Sequence, residues 1–248
     1  MIISVRYGKI ILNFSLEGFY LNGLIWFIFM IVDLSIALFV FRLFGKKGLF
    51  MLIAANIIIC NIQVLKTVEL FGITATLGNI LYGSIFFATD VISELYGKKE
   101  AKRAVLIGFS SLLIMTLYMQ FSLLFQPAPD DFASSHLNAL FGFMPRIAFG
   151  SLLAYLLSQL HDVWAFQFWK GKTKGKHLWL RNNLSTLVSQ LIDSGVFCLI
   201  AFLGLFPLNI WFEILLTTYL FKLIVAIFDT PFIYIAKKIG ESKKAPLF

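Results

Sequence analysis

Ionisable side chains inside the longest apolar runs of this sequence are the first candidates for chemistry. There are nine of them: Asp33, Asp90, Glu94, Arg146, Asp162, Asp193, Glu213, Lys222 and Asp229. In hydrocarbon, each such residue costs roughly 2.5–3.5 kcal/mol on insertion scales. Each should therefore face the protein interior, a water path or a partner charge, where it can bind a polar ligand or form an ion pair.

Helical spacing joins most of these residues to other polar side chains in four stripes, because residues three or four apart share one face of a helix. The stripes are Asn79, Tyr82, Phe86, Asp90 and Glu94; Ser151, Tyr155, Gln159 and Asp162; Asn182, Thr186, Gln190 and Asp193; and Thr218, Lys222 and Asp229. Four stripes that each carry an acid favour a shared polar cavity. The alternative is that Asp and Lys only pair to hold the helices together.

Other positions carry individual expectations. Glu94 and Asp162 lie near the ends of their apolar runs, where they either cap helices and face water or belong to the site. Arg146 follows Pro145 at a predicted helix start, where the helix dipole disfavours a cation, so a nearby acid or a bound anion is expected. Asp33 has few polar neighbours and is expected at a helix–helix contact.

Lys222 needs a partner, because an unpaired buried ammonium is costly. We expect at least one acid of the four polar stripes to lie within ion-pair distance of the Lys222 ammonium. The choices are Asp193, Asp90 and Asp229.

The composition shows what kind of protein must position these groups. The chain has 248 residues, 59% of them apolar and only 14% charged, with a mean hydropathy of +0.86. A soluble domain is about half apolar and a quarter charged. The composition therefore excludes an ordinary soluble enzyme, a disordered protein and a coiled coil, and it predicts one membrane-embedded domain.

Seven apolar stretches are long enough to cross about 30 Å of hydrocarbon, which takes roughly 20 helical residues. They cover residues 21–44, 48–65, 70–95, 103–126, 145–168, 184–206 and 208–236. The alternating strands of a membrane β-barrel are not evident, so we predict an all-α bundle. The shorter apolar stretch at 132–143 is either an outer amphipathic or re-entrant helix or an ordinary surface helix.

Basic residues favour one set of loops. Sixteen of the 21 are Arg42, Lys46, Lys47, Lys98, Lys99, Lys102, Arg103, Lys170, Lys172, Lys174, Lys176, Arg181, Lys237, Lys238, Lys243 and Lys244. The opposite side has Arg6, Lys9 and Lys66, and its longest loop carries Asp130 and Asp131. The positive-inside rule therefore places the C-terminus in the cytoplasm and the N-terminus outside.

Motifs of soluble enzymes are incomplete. Gly171-Lys172-Thr173 lacks the upstream glycine of a phosphate-binding loop. His161, Asp162 and His177 do not have metal-ligand spacing. Cys60 and Cys198 lie in separate apolar runs and are expected to be inert. We expect no metal, no cofactor, no catalytic residues and no direct nucleic-acid partner; the basic loops suit anionic headgroups instead.

Three motifs, taken together, resemble the queuosine-precursor transporter family, also called the vitamin-uptake-like family. They are Ala88–Gly97 (ATDVISELYG) with its following basic run; Pro145-Arg146 with Ser158–Val163 (SQLHDV); and Leu178–Thr186 (LWLRNNLST) with Ile192-Asp193-Ser194. Lys222 and Pro231 fit that family's final helix. The resemblance implies a six-helix transporter core at 48–238, preceded by a segment at 1–47 with an extra first helix and followed by a cytoplasmic tail at 239–248.

The resemblance also implies import of a 7-deazaguanine, in the cyano or aminomethyl form or as queuine, across the plasma (inner) membrane by secondary transport. That cargo has N–H and amine donors, a carbonyl and two flat faces, which carboxylates, amides and aromatic rings can bind. The expected substrate contacts are Asn79, Tyr82, Asp90, Tyr155, Gln159, Asn182, Gln190 and Asp193. The expected charge-pair or coupling residues are Glu94, Arg146, Asp162, Lys222 and Asp229.

Two alternatives remain. One is a substrate-binding membrane subunit that recruits an external ATPase, and the other is an intramembrane aspartyl hydrolase with Asp90 and Asp193 as paired acids. The Gly-x-Gly-Asp pattern of intramembrane aspartyl proteases is absent around both acids. The sequence leaves the oligomeric state open, including a homo-oligomer.

The charge asymmetry predicts a topology that labelling can test. In a chain whose Cys60 and Cys198 are replaced, a membrane-impermeant thiol reagent should reach Asp130→Cys from outside and should not reach Lys172→Cys. Labelling of Lys172→Cys without Asp130→Cys would reverse the orientation.

Overall fold

The computed structural model describes the backbone of residues 3–174 and 176–242 and the side chains of residues 21–174 and 176–241. Seven helices and two short strands follow one another along the chain. They are α1 (Ile3–Gln63), β1 (Thr67–Leu70), β2 (Ile73–Thr76), α2 (Asn79–Tyr96), α3 (Lys98–Leu123), α4 (Ser134–Phe141), α5 (Met144–Lys172), α6 (Leu178–Phe202) and α7 (Leu208–Ser242). The expected all-α bundle is confirmed.

Helix α1 is two helices joined at Gly45, whose backbone has φ 57° and ψ −138°. The chain folds back there: a β-carbon at Gly48 would lie 2.7 Å from the Val40 carbonyl oxygen, and Asp33 contacts Asn56 of the second half. In a straight helix, residues eight apart would be separated by about 12 Å. The two halves therefore correspond to the first two predicted spans, and Asp33 lies at a helix–helix contact as expected.

The third predicted span, 70–95, begins too early. Residues 67–76 form an antiparallel hairpin in which Thr67 pairs with Thr76, and helix α2 starts at Asn79. Phe71 and Gly72, the two turn residues, both have positive φ, as a two-residue type I′ turn requires. The apolar residues of the hairpin resembled the start of a span, although its alternation of β-branched residues is typical of strands.

Helix α6 also differs from its prediction, which covered 184–206. It begins at Leu178 and ends at Phe202, so Arg181 and Asn182 belong to its first turns rather than to a loop. Both side chains are fully buried. The polar Arg-Asn-Asn run looked like a connecting segment because its partners, which lie on other helices, cannot be seen in the local sequence.

The stretch at 132–143 contains the eight-residue helix α4, most of whose residues are exposed. Phe141 is buried, and its carbonyl accepts a 2.8 Å hydrogen bond from Gln120 of α3. At the other end, the Asp131 carboxylate accepts hydrogen bonds from the backbone N–H groups of Ala133 and Ser134. Together with the Ser134 hydroxyl, these donors lower the pKa of Asp131.

Five helical segments among the described residues are long and apolar enough to cross a membrane. One of them, Leu21–Gln63, contains both halves of α1 and so provides two crossings. Helix α2 is not one of these five segments; it has 18 residues, and all of those from Asn79 to Ser93 are buried by the surrounding helices. The chain is therefore a multi-pass membrane protein whose central helix is α2.

The basic loops lie at one end of the bundle, which we call the basic end. Lys46 bonds Glu100 at 2.9 Å, while Lys170 and Lys237 both bond Glu94 of α2. The β1–β2 hairpin lies at the opposite end, the hairpin end. Of the residues counted in the charge asymmetry, Lys243, Lys244 and the side chains of Arg6 and Lys9 lie outside the described residues.

The reversal at Gly45 gives a test of backbone strain. A side chain at Gly45 would meet no neighbour within 4 Å, so Gly45→Ala tests only the positive φ. We expect it to cost about 1–3 kcal/mol. Gly171→Ala is the matched control: this helical glycine also has open space around it, and alanine there should be neutral or stabilising by up to about 1 kcal/mol. Thermal unfolding in detergent measures both, and equal effects would contradict strain at Gly45.

Candidate functional site

Helix α2 positions the centre of the site because its polar side chains point into a bundle that encloses it. Along α2, Tyr82 is followed by Asp90 about 12 Å further on and by Glu94 about 6 Å beyond that, at 1.5 Å per residue. Each of these three residues meets polar groups from other helices. The interior therefore has three polar levels, from the hairpin end to the basic end.

The first level is an ion pair between Lys222 of α7 and Asp193 of α6, in which the ammonium contacts Oδ2. Asp193 Oδ1 accepts hydrogen bonds from the Tyr82 hydroxyl at 3.0 Å and from the Ser158 hydroxyl at 3.1 Å. The Lys222 ammonium also lies 4.2 Å from the centroid of the Tyr82 ring. The partner expected for Lys222 is present, and the pair joins four helices.

A small cavity of about 20 Å³ adjoins this pair. Its polar lining comes from α1, α2, α5, α6 and α7 and consists of Asn61, Asn79, Tyr82, Ser151, Asp193, Thr218 and Lys222. Small-molecule pockets are about 300–1,000 Å³, so in this conformation the cavity is far smaller than an organic substrate, and binding one requires the surrounding helices to move apart. A charged pair, amides, hydroxyls and an aromatic ring face this one space.

Three of the expected substrate contacts, Asn79, Tyr82 and Asp193, line this cavity. Tyr155 lies behind them, with its ring 6.0 Å from that of Tyr82 in an edge-to-face arrangement. Asn61 was missed by sequence reasoning, because a single amide near the end of a span carries no spacing signal. Cys60, expected to be an inert core thiol, is also in the cavity wall and donates to the Ile57 carbonyl at 3.3 Å.

Gln159 and Gln190 are fully buried, and within the described chain neither side-chain amide has a hydrogen-bond partner. Gln159 follows Ser158, which bonds Asp193, and Gln190 precedes Asp193 by one helical turn. Neither residue is in the cavity lining. Both lie between the first level and the next one toward the basic end.

The second level contains acids without a cation. The carboxyl groups of Asp90 and Asp162 contact each other, and both residues are almost completely buried. Asp162 was expected either to cap a helix and face water or to belong to the site; it faces neither water nor a helix terminus. The structure therefore brings Asp90 to Asp162 rather than to the cavity with Asp193.

Asp229 of α7 belongs to the same level and is held by an amide. Asn182 donates to Asp229 Oδ1 at 3.1 Å and lies 3.3 Å from the Thr230 hydroxyl. Asn182, expected as a substrate contact, is thus engaged by α7 and lies away from the cavity. Its partner could not be identified from its helical phase alone.

The third level lies at the basic end, where Glu94 bonds three cations from three different helices. Arg181 lies at 2.6 Å, Lys237 at 2.8 Å and Lys170 at 3.1 Å from its carboxylate oxygens. The Arg181 side chain is completely buried, while the two lysines are partly exposed. Glu94 neither caps a helix nor simply faces water, because it ties α2 to α5, α6 and α7.

Among the described residues, no acid side chain forms an ion pair with Arg146. Its guanidinium donates to the carbonyl oxygens of Ile200 at 2.9 Å and Leu203 at 2.6 Å, at the C-terminal end of α6. Carbonyls there lack partners within their own helix and carry partial negative charge. The guanidinium therefore satisfies a neighbouring helix end, which explains a cation at a helix start.

A multi-pass bundle in which polar side chains from five helices face one interior cavity has the construction of a small-molecule transporter. Residues 76–236 match a family described as "Putative vitamin uptake transporter". The chain belongs to this family. It is therefore a transporter and not an enzyme, which sets aside the aspartyl hydrolase.

Curated relatives agree with this assignment. Over 218 residues, the chain is 48% identical to the "Probable queuosine precursor transporter" of Bacillus subtilis (strain 168), covering 88% of this chain and 95% of that one. It is 30% identical over 188 residues to the "Queuosine precursor transporter" of Escherichia coli (strain K12), covering 73% and 82% of the two chains. No solved structure matches the chain.

The Glu94 cluster gives a stability test with a matched control. Glu94→Gln removes the carboxylate beside a buried guanidinium, and loss of one partner of a buried pair costs about 3–5 kcal/mol. Glu100→Gln is the same substitution at an acid that also bonds two cations, Lys46 and Arg103, which are 37% and 62% exposed. Exposed pairs contribute about 0–1 kcal/mol. The unfolding temperature in detergent should therefore fall much further for Glu94→Gln than for Glu100→Gln. Equal shifts in the unfolding temperature would contradict the role of burial.

Proposed function

We propose that this chain imports a queuosine precursor, a 7-deazaguanine, across the plasma membrane by secondary transport. The observation that carries the proposal is the cavity formed around the Lys222–Asp193 pair, in a family whose relatives are named for queuosine precursors. The C-terminus lies in the cytoplasm and the N-terminus outside, as the positive-inside rule predicts. The hairpin end then faces the source of the substrate.

The lining of the cavity suits the edges and faces of this substrate class. The Asp193 carboxylate accepts hydrogen bonds, as a ring N–H and an exocyclic amine require. The Asn79 amide donates one N–H to the Thr76 carbonyl and has a second for the carbonyl side of the substrate, and the Tyr82 ring can stack through the face that the Lys222 ammonium does not cover. In this structure, the Tyr82 and Ser158 hydroxyls donate to the Asp193 carboxylate. A substrate that reaches Asp193 replaces these hydrogen bonds with bonds from its own donors.

The other expected contacts, Asp90, Gln159, Asn182 and Gln190, lie deeper toward the basic end. We assign initial binding to the residues that line the cavity and assign the deeper residues to later stages of the transport cycle. This division follows the three levels along α2, because a substrate at Asp193 is about 6–12 Å from the second level by the rise of α5 and α2.

Reconstitution of the purified chain in liposomes tests the function and its energy source together. Uptake of a 7-deazaguanine without ATP or any other protein supports a secondary transporter. Uptake that requires an added ATPase module supports the alternative of a substrate-binding subunit. Parallel assays with the cyano form, the aminomethyl form and queuine identify the cargo, and absence of uptake and binding for all three contradicts the proposal.

The pair itself can be tested by removing one partner and then both. Lys222→Met should lower the yield of folded protein, because it leaves Asp193 as a buried charge without its cation, a loss of about 3–5 kcal/mol. Lys222→Met combined with Asp193→Asn removes both charges and should restore folded yield. It should not restore uptake, because an amide donor replaces an acceptor oxygen that faces the substrate's donors.

Asp33→Asn is the matched control, since it neutralises a buried acid in the first half of α1, away from the cavity. It should leave uptake near the wild-type rate at equal expression. Full uptake by the double variant would show that the pair only holds the helices together.

A further inference from the structure

The Asp90–Asp162 contact differs chemically from every other acid described in the interior. Asp193 has a lysine, Glu94 has three cations and Asp229 has an amide donor. Among the described residues, no donor bonds the Asp90 carboxyl oxygens, and the donors beside Asp162 are the Ser185 and Ser189 hydroxyls. Two acids from different helices thus lie together, buried, without a bonded cation.

Of the titratable groups around this pair, His161 is the one whose positive charge would stabilise the Asp162 carboxylate, and the others supply no cation to it. From α7 comes Asp229, bonded by Asn182, and from α2 comes Glu94, whose cations are engaged at the basic end. On α5, the neighbouring His161 bonds the Ser189 hydroxyl at 2.9 Å. On α1, Asp33 contacts Asn56 and Ser84 instead.

From α6, Ser185 and Ser189 lie beside Asp162. Their hydroxyls donate to the backbone carbonyls of Asn182 at 3.1 Å and of Ser185 at 2.8 Å. Their bonds to these backbone carbonyls compete with bonds to the Asp162 carboxyl oxygens. Ser189 does place one hydroxyl between Asp162 and the half-buried His161 ring.

Electrostatic repulsion determines the protonation of the Asp90–Asp162 pair. Two adjacent carboxylates in a medium of low dielectric constant repel strongly and cannot both remain ionised. One proton relieves the repulsion, and its O–H then donates to the other carboxylate. The arrangement is thus complete with a proton and incomplete without one.

A second observation indicates that this region receives a ligand from the cavity side. Gln159, on the face of α5 that carries Asp162, and Gln190, one turn from Asp193, are fully buried with unpartnered amides. Buried amides cost free energy unless they are bonded. These two lie between the cavity and the acid pair, so they can bond a substrate that has moved inward from Asp193.

We propose that Asp90 and Asp162 form a proton-binding site that couples substrate movement to the proton gradient. The inference rests on the proposed transport function and adds its coupling ion. A proton enters with the substrate, occupies the shared O–H of the pair and leaves on the cytoplasmic side, so that one O–H bond forms and later breaks. A metal ion is a poorer fit, since no group of three His, Cys, Asp or Glu side chains in the described chain is arranged to hold one.

The test compares exchange with accumulation in proteoliposomes. Wild-type protein should accumulate the 7-deazaguanine when the lumen is more alkaline, by up to about tenfold for a gradient of one pH unit and one proton per substrate. Asp162→Asn and Asp90→Asn should lose this accumulation and still exchange labelled for unlabelled substrate when no gradient is present. Asp33→Asn, the matched buried acid, should retain both activities.

Different outcomes separate this inference from the proposed function. If wild-type protein neither binds nor exchanges any of the three substrates, the proposed function fails. If it exchanges substrate but accumulation ignores the pH gradient or follows a sodium gradient, only the proton site fails. Full pH-driven accumulation by Asp162→Asn would also overturn the assignment.

Infrared spectroscopy of the wild-type protein keeps the inference testable if both variants fail to fold. At neutral pH, the spectrum should contain the carbonyl band of a buried protonated carboxylic acid, and this band should shift when substrate is added. Absence of the band would contradict a shared proton. In a variant that folds, loss of the band assigns it to the pair.

Discussion

Placing charge in a protein interior that is itself surrounded by hydrocarbon is the constraint on which this structure depends. An ammonium and a carboxylate meet at Lys222 and Asp193, and the carboxylate is further bonded by Tyr82 and Ser158. Each of these four residues comes from a different helix. The cost of leaving either charge alone therefore fixes how α2, α5, α6 and α7 sit relative to one another. The cavity lies where polar side chains of these helices and of α1 converge.

The three levels along α2 differ in their balance of charge. The first has one cation for one acid, the second has acids only, and the third has three cations for one acid. The oppositely charged pair beside the cavity can give up its hydrogen bonds to protein groups and form bonds to a neutral substrate instead. Excess positive charge at the basic end suits contact with anionic lipid headgroups. The uncompensated acids between them are the part that needs a mobile positive charge.

Helical phase and composition were sufficient to predict the class of fold and most of the interior. The apolar runs located the crossings, and residues three or four apart identified Asp90, Asp193 and Lys222 as inward-facing. Local sequence could not show where α2 begins, because the hairpin at 67–76 is as apolar as the helix it precedes. It also could not show that Arg181 is buried, since Glu94, the acid that offsets the desolvation of its guanidinium, lies on α2.

The helical phase of a residue could not predict its position along the axis of the bundle. A stripe shows which residues share a face, but the pairing of residues across helices depends on the tilt and offset of each helix. For that reason the sequence grouped Asp90 with Asp193 as contacts of one site, whereas Asp90 lies against Asp162 and Asp193 lies against Lys222. The distinction changes the chemistry of each acid. The proposed roles differ accordingly: an acid paired with a lysine can accept hydrogen bonds from a ligand, while two adjacent acids can share a proton and release it. One bundle can thus hold a substrate contact and an ion-binding contact in the same residue type, separated by two turns of α2.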